Sequence, residues 1–328
     1  MRALRYHATG KPAEVLRLDE VPVPEPGPGE VRVRISHRSL NPADLHTVLG
    51  RYGHAPDLPA VAGHEGVGRV DAIGPGVEAP AVGQRVVPMG VEGTWQECVV
   101  LDADACLPVP DAVSDEDAAQ LFVNPLTAHL LLDALALPAG AWLVQTAGTS
   151  QVGRLVVQMA ARRGLRTLSV VRRDDARDEL AALGGDEIFV GDPPDADALR
   201  QRVLALTDGR GAGGALDAVA GAAGSAVARC LADEATMLVY GGLSGEPLAL
   251  DAGTLIFRRI AVRGFWRTRW FETHPLAETR RHLEELAGLL ASGVLRLPVA
   301  ARYDLAEFRD AIAHSRQRGT IGKVLLTG

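Results

Sequence analysis

The sequence predicts an α/β protein of two domains, a doubly wound parallel sheet joined to an irregular strand-rich domain. Three observations predict it. Short apolar strands alternate with helical stretches of about 10–15 residues in the middle of the chain, the mark of βαβ units. A glycine motif falls between the first of those strands and the helix after it. Before this region, Val, Gly and Pro dominate and short alternating runs are broken by turn clusters.

The central alternation begins at Ala141–Ala147, which reads as a buried strand, followed by a helix over Ser150–Arg163. Arg166–Arg172 reads as the second strand and Asp174–Leu183 as a helix. Glu187–Val190, Ala215–Val219, Thr236–Tyr240 and Ile260–Phe265 are further strands. Pro275–Ser292 has the spacing of an amphipathic helix, and Val324–Leu326 closes the chain as a strand. In the first 120 residues, Val31–Ile35 and Gly66–Val70 are strand-like, separated by turn clusters at 22–29 and 74–83. The expected domains are 1–122 with 265–328, and 123–264.

Bulk properties narrow the partners. At 328 residues with 47% hydrophobic and 23% charged side chains, the composition is that of a soluble globular chain. No apolar run approaches the roughly 20 residues that span a bilayer. The start MRALRYHATG lacks an apolar targeting region, so a cytoplasmic protein is expected by default. A net charge of −7 disfavours nucleic acid, since no basic surplus exists to displace counterions. Cys98, Cys106 and Cys230 are odd in number and far apart, and read as reduced thiols.

Gly148-Thr149-Ser150-Gln151-Val152-Gly153 matches the dinucleotide fingerprint with serine for its middle glycine. The first glycine allows a tight turn and the last allows close helix–sheet packing. Between them, N–H groups at the helix start face a pyrophosphate. About 20 residues further on, NAD-preferring folds carry an acid for the ribose hydroxyl. Arg172-Arg173 stands there instead, and two guanidinium groups suit a 2′-phosphate. NADPH is therefore the expected cofactor. Asp174 and Asp175 follow, and the competing reading of the segment is a solvated helix start.

Asn41-Pro42-Ala43-Asp44-Leu45-His46 and Gly63-His64-Glu65-Gly66 resemble the catalytic-zinc region of medium-chain alcohol dehydrogenases. Those relatives place Cys, His and Cys where this chain has Asn41, His64 and Val123. A catalytic zinc needs three protein ligands, so no zinc is expected and His64-Glu65 reads as a packing and hydrogen-bonding element. The rest of the chain resembles the mitochondrial-type enoyl thioester reductases of fatty-acid synthesis, a branch of the medium-chain dehydrogenase/reductase superfamily. The resemblance runs through Arg51-Tyr52-Gly53, Val123-Asn124-Pro125-Leu126-Thr127-Ala128, Tyr240-Gly241-Gly242-Leu243 and Gly264-Phe265-Trp266. Quinone oxidoreductases share the scaffold and are the next most similar family.

This resemblance implies a GroES-like catalytic domain beside a Rossmann domain, and a homodimer. It implies that Tyr52 is the proton donor or substrate-orienting group. It further implies an NADPH site lined by Asn124, Ser150, Gln151, Val152, Gly153, Arg172, Arg173, Tyr240, Gly241, Gly242, Leu243, Phe265, Trp266, Arg267 and Lys323. The family usually has Asn at His64, Gly at Gln151 and Leu at Arg267. The expected reaction is hydride transfer to the β-carbon of a 2-enoyl thioester, with a hydrogen-bond donor at the developing enolate and a phenol as proton source. The competing readings are a quinone or enone reductase and an NADPH-binding sensor without catalysis.

Overall fold

The structure is a computed structural model that describes residues 1–53, 55–317 and 319–328. Along the chain the strands are β1 (Arg2–Tyr6), β2 (Arg17–Glu20), β3 (Glu30–Ser39), β4 (Ala60–Val61), β5 (Gly66–Ile73), β6 (Arg85–Pro88), β7 (Cys98–Asp102) and β8 (Cys106–Pro108). They continue as β9 (Trp142–Gln145), β10 (Arg166–Val171), β11 (Glu187–Val190), β12 (Ala212–Asp217), β13 (Leu231–Val239), β14 (Ala261–Gly264), β15 (Val299–Asp304) and β16 (Lys323–Thr327). The helices are α1 (Pro12–Val15), α2 (Pro42–Val48), α3 (Asp115–Ala118), α4 (Asn124–Leu135), α5 (Gln151–Arg162) and α6 (Arg177–Ala182). After them come α7 (Ala196–Leu206), α8 (Gly221–Arg229), α9 (Ala252–Phe257), α10 (Arg267–Phe271), α11 (Leu276–Ala291) and α12 (Phe308–Ser315). Among the described residues, no helix is long and apolar enough to cross a membrane.

Two compact units result, Met1–Leu126 with Pro275–Gly328, and Thr127–His274. In the first, β15-β16-β3-β5-β6-β8 form a sheet to which β7 adds through β3, and β2-β1-β4 form a small second sheet. Apart from the parallel β15–β16 pair, these pairings are antiparallel. Val31, Val33 and Ile35 alternate inward along β3 and pack on Val70, Val86 and Val99. A second cluster gathers Leu4, Leu16, Trp95, Phe308 and Leu326. Gly63 is required beside it: at φ +103, a Cβ there would lie 2.3 Å from the Trp95 ring.

The second unit is a six-stranded, wholly parallel sheet in the order β11-β10-β9-β12-β13-β14. That is the doubly wound order, with its reversal between β9 and β12. All four residues of β9 are buried, as a central parallel strand demands. Helix α5 buries Leu155, Val156, Val157 and Met159, each contributing about 2 kcal/mol by removal from water. Two non-glycine residues take left-handed backbone at the carboxyl ends flanking the reversal, Ala147 at φ 51 and Ala220 at φ 59. Such strain persists where surrounding structure enforces it, and it gathers at ligand sites.

Strands β9, β10, β11 and β14 fall close to their expected positions, and α11 matches its amphipathic pattern. Strand β12 starts earlier and stops sooner than the expected Ala215–Val219, because Ala212 joins the ladder and the Asp217 carboxylate accepts the N–H groups of Val219 and Ala220. The segment expected as one helix from Asp174 is a 3₁₀ turn over Asp174–Ala176 followed by α6.

Candidate active site

In the second unit, the expected cofactor residues gather at the carboxyl ends of four strands. Ser150–Gly153 follow β9, Arg172 and Arg173 follow β10, Tyr240–Leu243 follow β13, and Phe265–Arg267 follow β14. This is where open parallel sheets take ligands. Gly148 needs its missing side chain, since a Cβ would meet Ser169 Cβ at 2.5 Å. At Gly153 a Cβ would lie 2.6 Å from the Ala147 carbonyl oxygen, so α5 sits too close to the turn for any other residue.

Ser150 is the N-cap of α5, its Oγ accepting the Gly153 N–H at 3.0 Å. That occupies one N–H expected to face a phosphate. The N–H groups of Gln151 and Val152 open the helix with no intrahelical acceptor, and its dipole adds positive charge there. Both polar atoms of the Gln151 side chain are buried without a hydrogen-bond partner. The buried Tyr240 hydroxyl closes no hydrogen bond of normal geometry, with Ser150 as a polar neighbour. Burial first, then the Asp217 carboxylate, pushes the Tyr240 phenol above its ordinary range. Orphaned polar atoms around a helix start fit a bound dinucleotide that supplies their partners.

The other strand ends agree. Arg172 and Arg173 are exposed, and Arg173 pairs with the exposed Asp175 at 3.1 Å. Asp174 is occupied by Arg177. Gly241 is held by the fold, because a Cβ would lie 2.7 Å from the Ala218 carbonyl, whereas a Cβ on Gly242 would meet nothing. Leu243 is exposed beside it. Arg267 is buried and lies over the Phe271 ring at 5.4 Å.

Asn124 and Lys323 belong to the first unit and join a buried polar cluster there. Asn41 caps α2, and its N–H donates to Asp44 Oδ2 at 2.6 Å. Its side-chain amide donates to Glu65 Oε1 at 2.7 Å, and its Oδ1 accepts from Asn124 Nδ2 at 2.8 Å and Lys323 Nζ at 2.5 Å. Lys323 also donates to the Leu40 carbonyl at 2.9 Å. Glu65 Oε2 accepts the Val123 N–H at 2.7 Å. Asp44 Oδ1 pairs with His64 Nδ1 at 2.5 Å, and the His64 ring meets the Tyr52 ring edge-on, centroids 5.6 Å apart.

Tyr52 is half-buried, with its ring against His64. Burial pushes the Tyr6 phenol up to about 12, Tyr240 is also driven up, and Tyr303 is engaged with His314 Nδ1 at 3.0 Å. Two links escaped the sequence reading. One is the Asp44–His64 pair. The other is Thr146 Oγ1 donating to Asp217 Oδ1 at 2.7 Å, which ties β9 to β12 at the sheet reversal. Each partner lay in a segment already singled out, but nothing in their spacing announces the bond.

The fold and these two constellations define a medium-chain dehydrogenase/reductase, an NADPH-dependent oxidoreductase. Residues 27–111 match the model of the alcohol dehydrogenase GroES-like domain, and residues 152–284 that of the zinc-binding dehydrogenases. The human mitochondrial enoyl-[acyl-carrier-protein] reductase is 33% identical over 333 residues, covering 100% of this chain and 88% of that protein. A Bacillus thuringiensis protein assigned as an NADPH:quinone reductase superposes with a TM-score of 0.93 at 31% identity, covering 100% and 98% of the two chains. The Etr1p/NADP/crotonyl-CoA complex gives a TM-score of 0.86 at 25% identity, covering 100% and 99%. Within its class, the chain belongs to the family of the mitochondrial enoyl-[acyl-carrier-protein] reductases.

The zinc that the second family model names does not fit the catalytic positions. Asn41, His64 and Val123 offer an amide, an imidazole and an alkyl group. The amide is spent on Glu65, Asn124 and Lys323, and the imidazole Nδ1 on Asp44. A catalytic zinc takes three protein donors, and this set cannot supply them.

Proposed function

We propose that the protein is a zinc-independent, NADPH-dependent reductase of 2-enoyl thioesters. The observation that carries the reading is Tyr52 packed on His64, a position where zinc relatives keep a metal ligand and where this chain pairs the imidazole with buried Asp44. The residues proposed to hold NADPH are Ser150 to Gly153, Arg172, Arg173, Tyr240 to Leu243 and Phe265 to Arg267, with Asn124 and Lys323 carried over from the family. When bound, NADPH supplies the hydride taken by the β-carbon of the substrate.

The chain's own residues do the rest. N–H groups at the start of α5 receive the pyrophosphate, and the Arg172 and Arg173 guanidinium groups grip the 2′-phosphate. Tyr52 donates to the thioester oxygen as negative charge builds there, or passes its proton to the α-carbon. A homodimer joined along the free edge strand β14 and a cytoplasmic location complete the proposal. The latter differs from the location in the human relative's name, and cell fractionation decides it.

The test is NADPH oxidation with crotonyl-CoA, the corresponding carrier-protein thioester and a quinone. Thioester turnover with the higher kcat/KM supports the reading, and faster quinone turnover overturns it. The quinone reading is supported by the likeness to solved structures named quinone reductases, the Bacillus thuringiensis protein among them. NADPH binding with no turnover on any of the three would leave a sensor.

A further inference from the structure

Four ionisable side chains are shut into one cluster of the first unit: Asp44 at 1% exposure, Glu65 at 0%, His64 at 8% and Lys323 at 8%. Two carboxylates face one ammonium. Among the described residues of the cluster this leaves one negative charge, which a proton on both nitrogens of His64 would balance, the condition under which buried charges are tolerated. The other buried cation nearby in sequence, Arg38, gives its guanidinium to the carbonyls of Thr94, Gly328, Ile35 and Gln96 and so is spent elsewhere.

Asp44 Oδ1 lies 2.5 Å from His64 Nδ1, within hydrogen-bond reach, and Asp44 is itself fixed by the Asn41 N–H at 2.6 Å. Asp44 therefore fixes both the ring plane and the proton on Nδ1. The ring so fixed sits against Tyr52, at 5.6 Å and an interplanar angle of 62°. An aliphatic pair of the same volume would fill this space without desolvating a charge. What the dyad adds is a fixed polar wall beside a phenol, positively charged when the imidazole holds both its protons.

We infer that Asp44 and His64 are positioning residues for Tyr52: they orient the phenol ring and place a positive charge beside it, which favours the phenolate left when its proton departs. The inference rests on the proposed role of Tyr52 in reduction. Among the described residues, the charged groups of the cluster around His64 are Asp44 from α2, Glu65 next in sequence, and Lys323 from β16, the last acting through Asn41.

Two experiments test it, one independent of catalysis. In protein carrying ring-labelled tyrosine, the Tyr52 resonance is identified by its loss in Tyr52→Phe. Scanned from about pH 5 to 8, where imidazoles ordinarily exchange their proton, it is expected to shift in the wild type and to stay flat in His64→Gln. A flat wild-type response, or a shift that survives in His64→Gln, overturns the inference. In steady-state assays with crotonyl-CoA, His64→Gln should lower kcat at least tenfold while NADPH Kd stays within about twofold, and its pH profile should lose the limb due to the imidazole. An equal loss of kcat at every pH would show a merely structural role. Should His64→Gln fail to fold, Asp44→Asn, which keeps an acceptor for the Asn41 N–H, should move the midpoint of the Tyr52 resonance shift to lower pH, because the imidazolium loses its carboxylate partner, and an unmoved midpoint would overturn the inference. If no thioester is reduced but the resonance shift behaves as expected, the dyad stands and the proposed reaction falls.

Discussion

Nζ of Lys323 donates to Oδ1 of Asn41 across 2.5 Å, tying β16 to the cap of α2. Burial holds this ammonium below the ordinary lysine range, against the pull of Glu65 and Asp44. A lysine so depressed costs stability while charged, since the unfolded chain holds the proton more tightly. The cost is relieved as pH rises from the folded value towards the ordinary one. Urea unfolding between neutral pH and about pH 10 should therefore show an alkaline gain from this group, absent in Lys323→Met.

Gly153→Ala tests the close approach of α5 to its turn. The added Cβ would press on the Ala147 and Gly148 carbonyl oxygens at 2.6 and 2.7 Å. Overpacking of this kind costs about 2 kcal/mol, so Tm should fall by roughly 5 °C. NADPH titration followed by fluorescence should show weakened binding as well, because the helix start is displaced.

Removing both guanidinium groups after β10 tests cofactor choice. A charged hydrogen bond is worth roughly 1.5–3 kcal/mol. Arg172→Ala combined with Arg173→Ala should therefore raise the NADPH Kd about 100-fold, while NADH, lacking the phosphate, changes by about twofold or less. Equal weakening of both nucleotides would remove these residues from phosphate recognition.

Tyr52→Phe deletes one hydroxyl and keeps the ring that faces His64. Loss of a positioned acid should reduce kcat on an enoyl thioester about 100-fold, leaving NADPH Kd and Tm unaltered. Unchanged kcat would transfer the proton to water or to another group.

Exhaustive chelation supplies the metal test. Dialysis against EDTA should leave turnover unaltered, and elemental analysis of the active enzyme should find far less than one zinc per chain. Stoichiometric zinc, or activity restored only by adding it, would contradict the donor set at Asn41, His64 and Val123.

Much of the second unit was legible in the sequence because its strands are continuous apolar runs between helices of clear period. Strand β12 was misplaced at both ends for a physical reason. Gly213 and Gly214 carry no side chain that marks a strand, yet β9 and β13 flank the segment and pull it into the sheet. The start of β13 was missed because Asp233 and Glu234 are polar and exposed and lie in the irregular stretch between the Leu231 and Thr236 pairs with β12. In the first unit, strands of two to five residues such as β1, β4 and β8 owe their existence to distant partners, which no local pattern records. The site divides in the same way. The glycine turn is a local necessity and could be read. The bonds from Asn41 to Glu65 and from Asp44 to His64 join residues more than a dozen positions apart, and only the fold brings them together.

The position of β16 in its sheet has a consequence for biosynthesis. It lies between β15 and β3, so the earliest long strand of the chain waits for residues 323–327 before its neighbour on that side exists. Residues 127–274, by contrast, are contiguous and can complete their own sheet while translation continues. The sheet that holds β3 is thus completed after the sheet of residues 127–274, and a chain cut short before residue 323 should show a protease-resistant centre and digestible flanks.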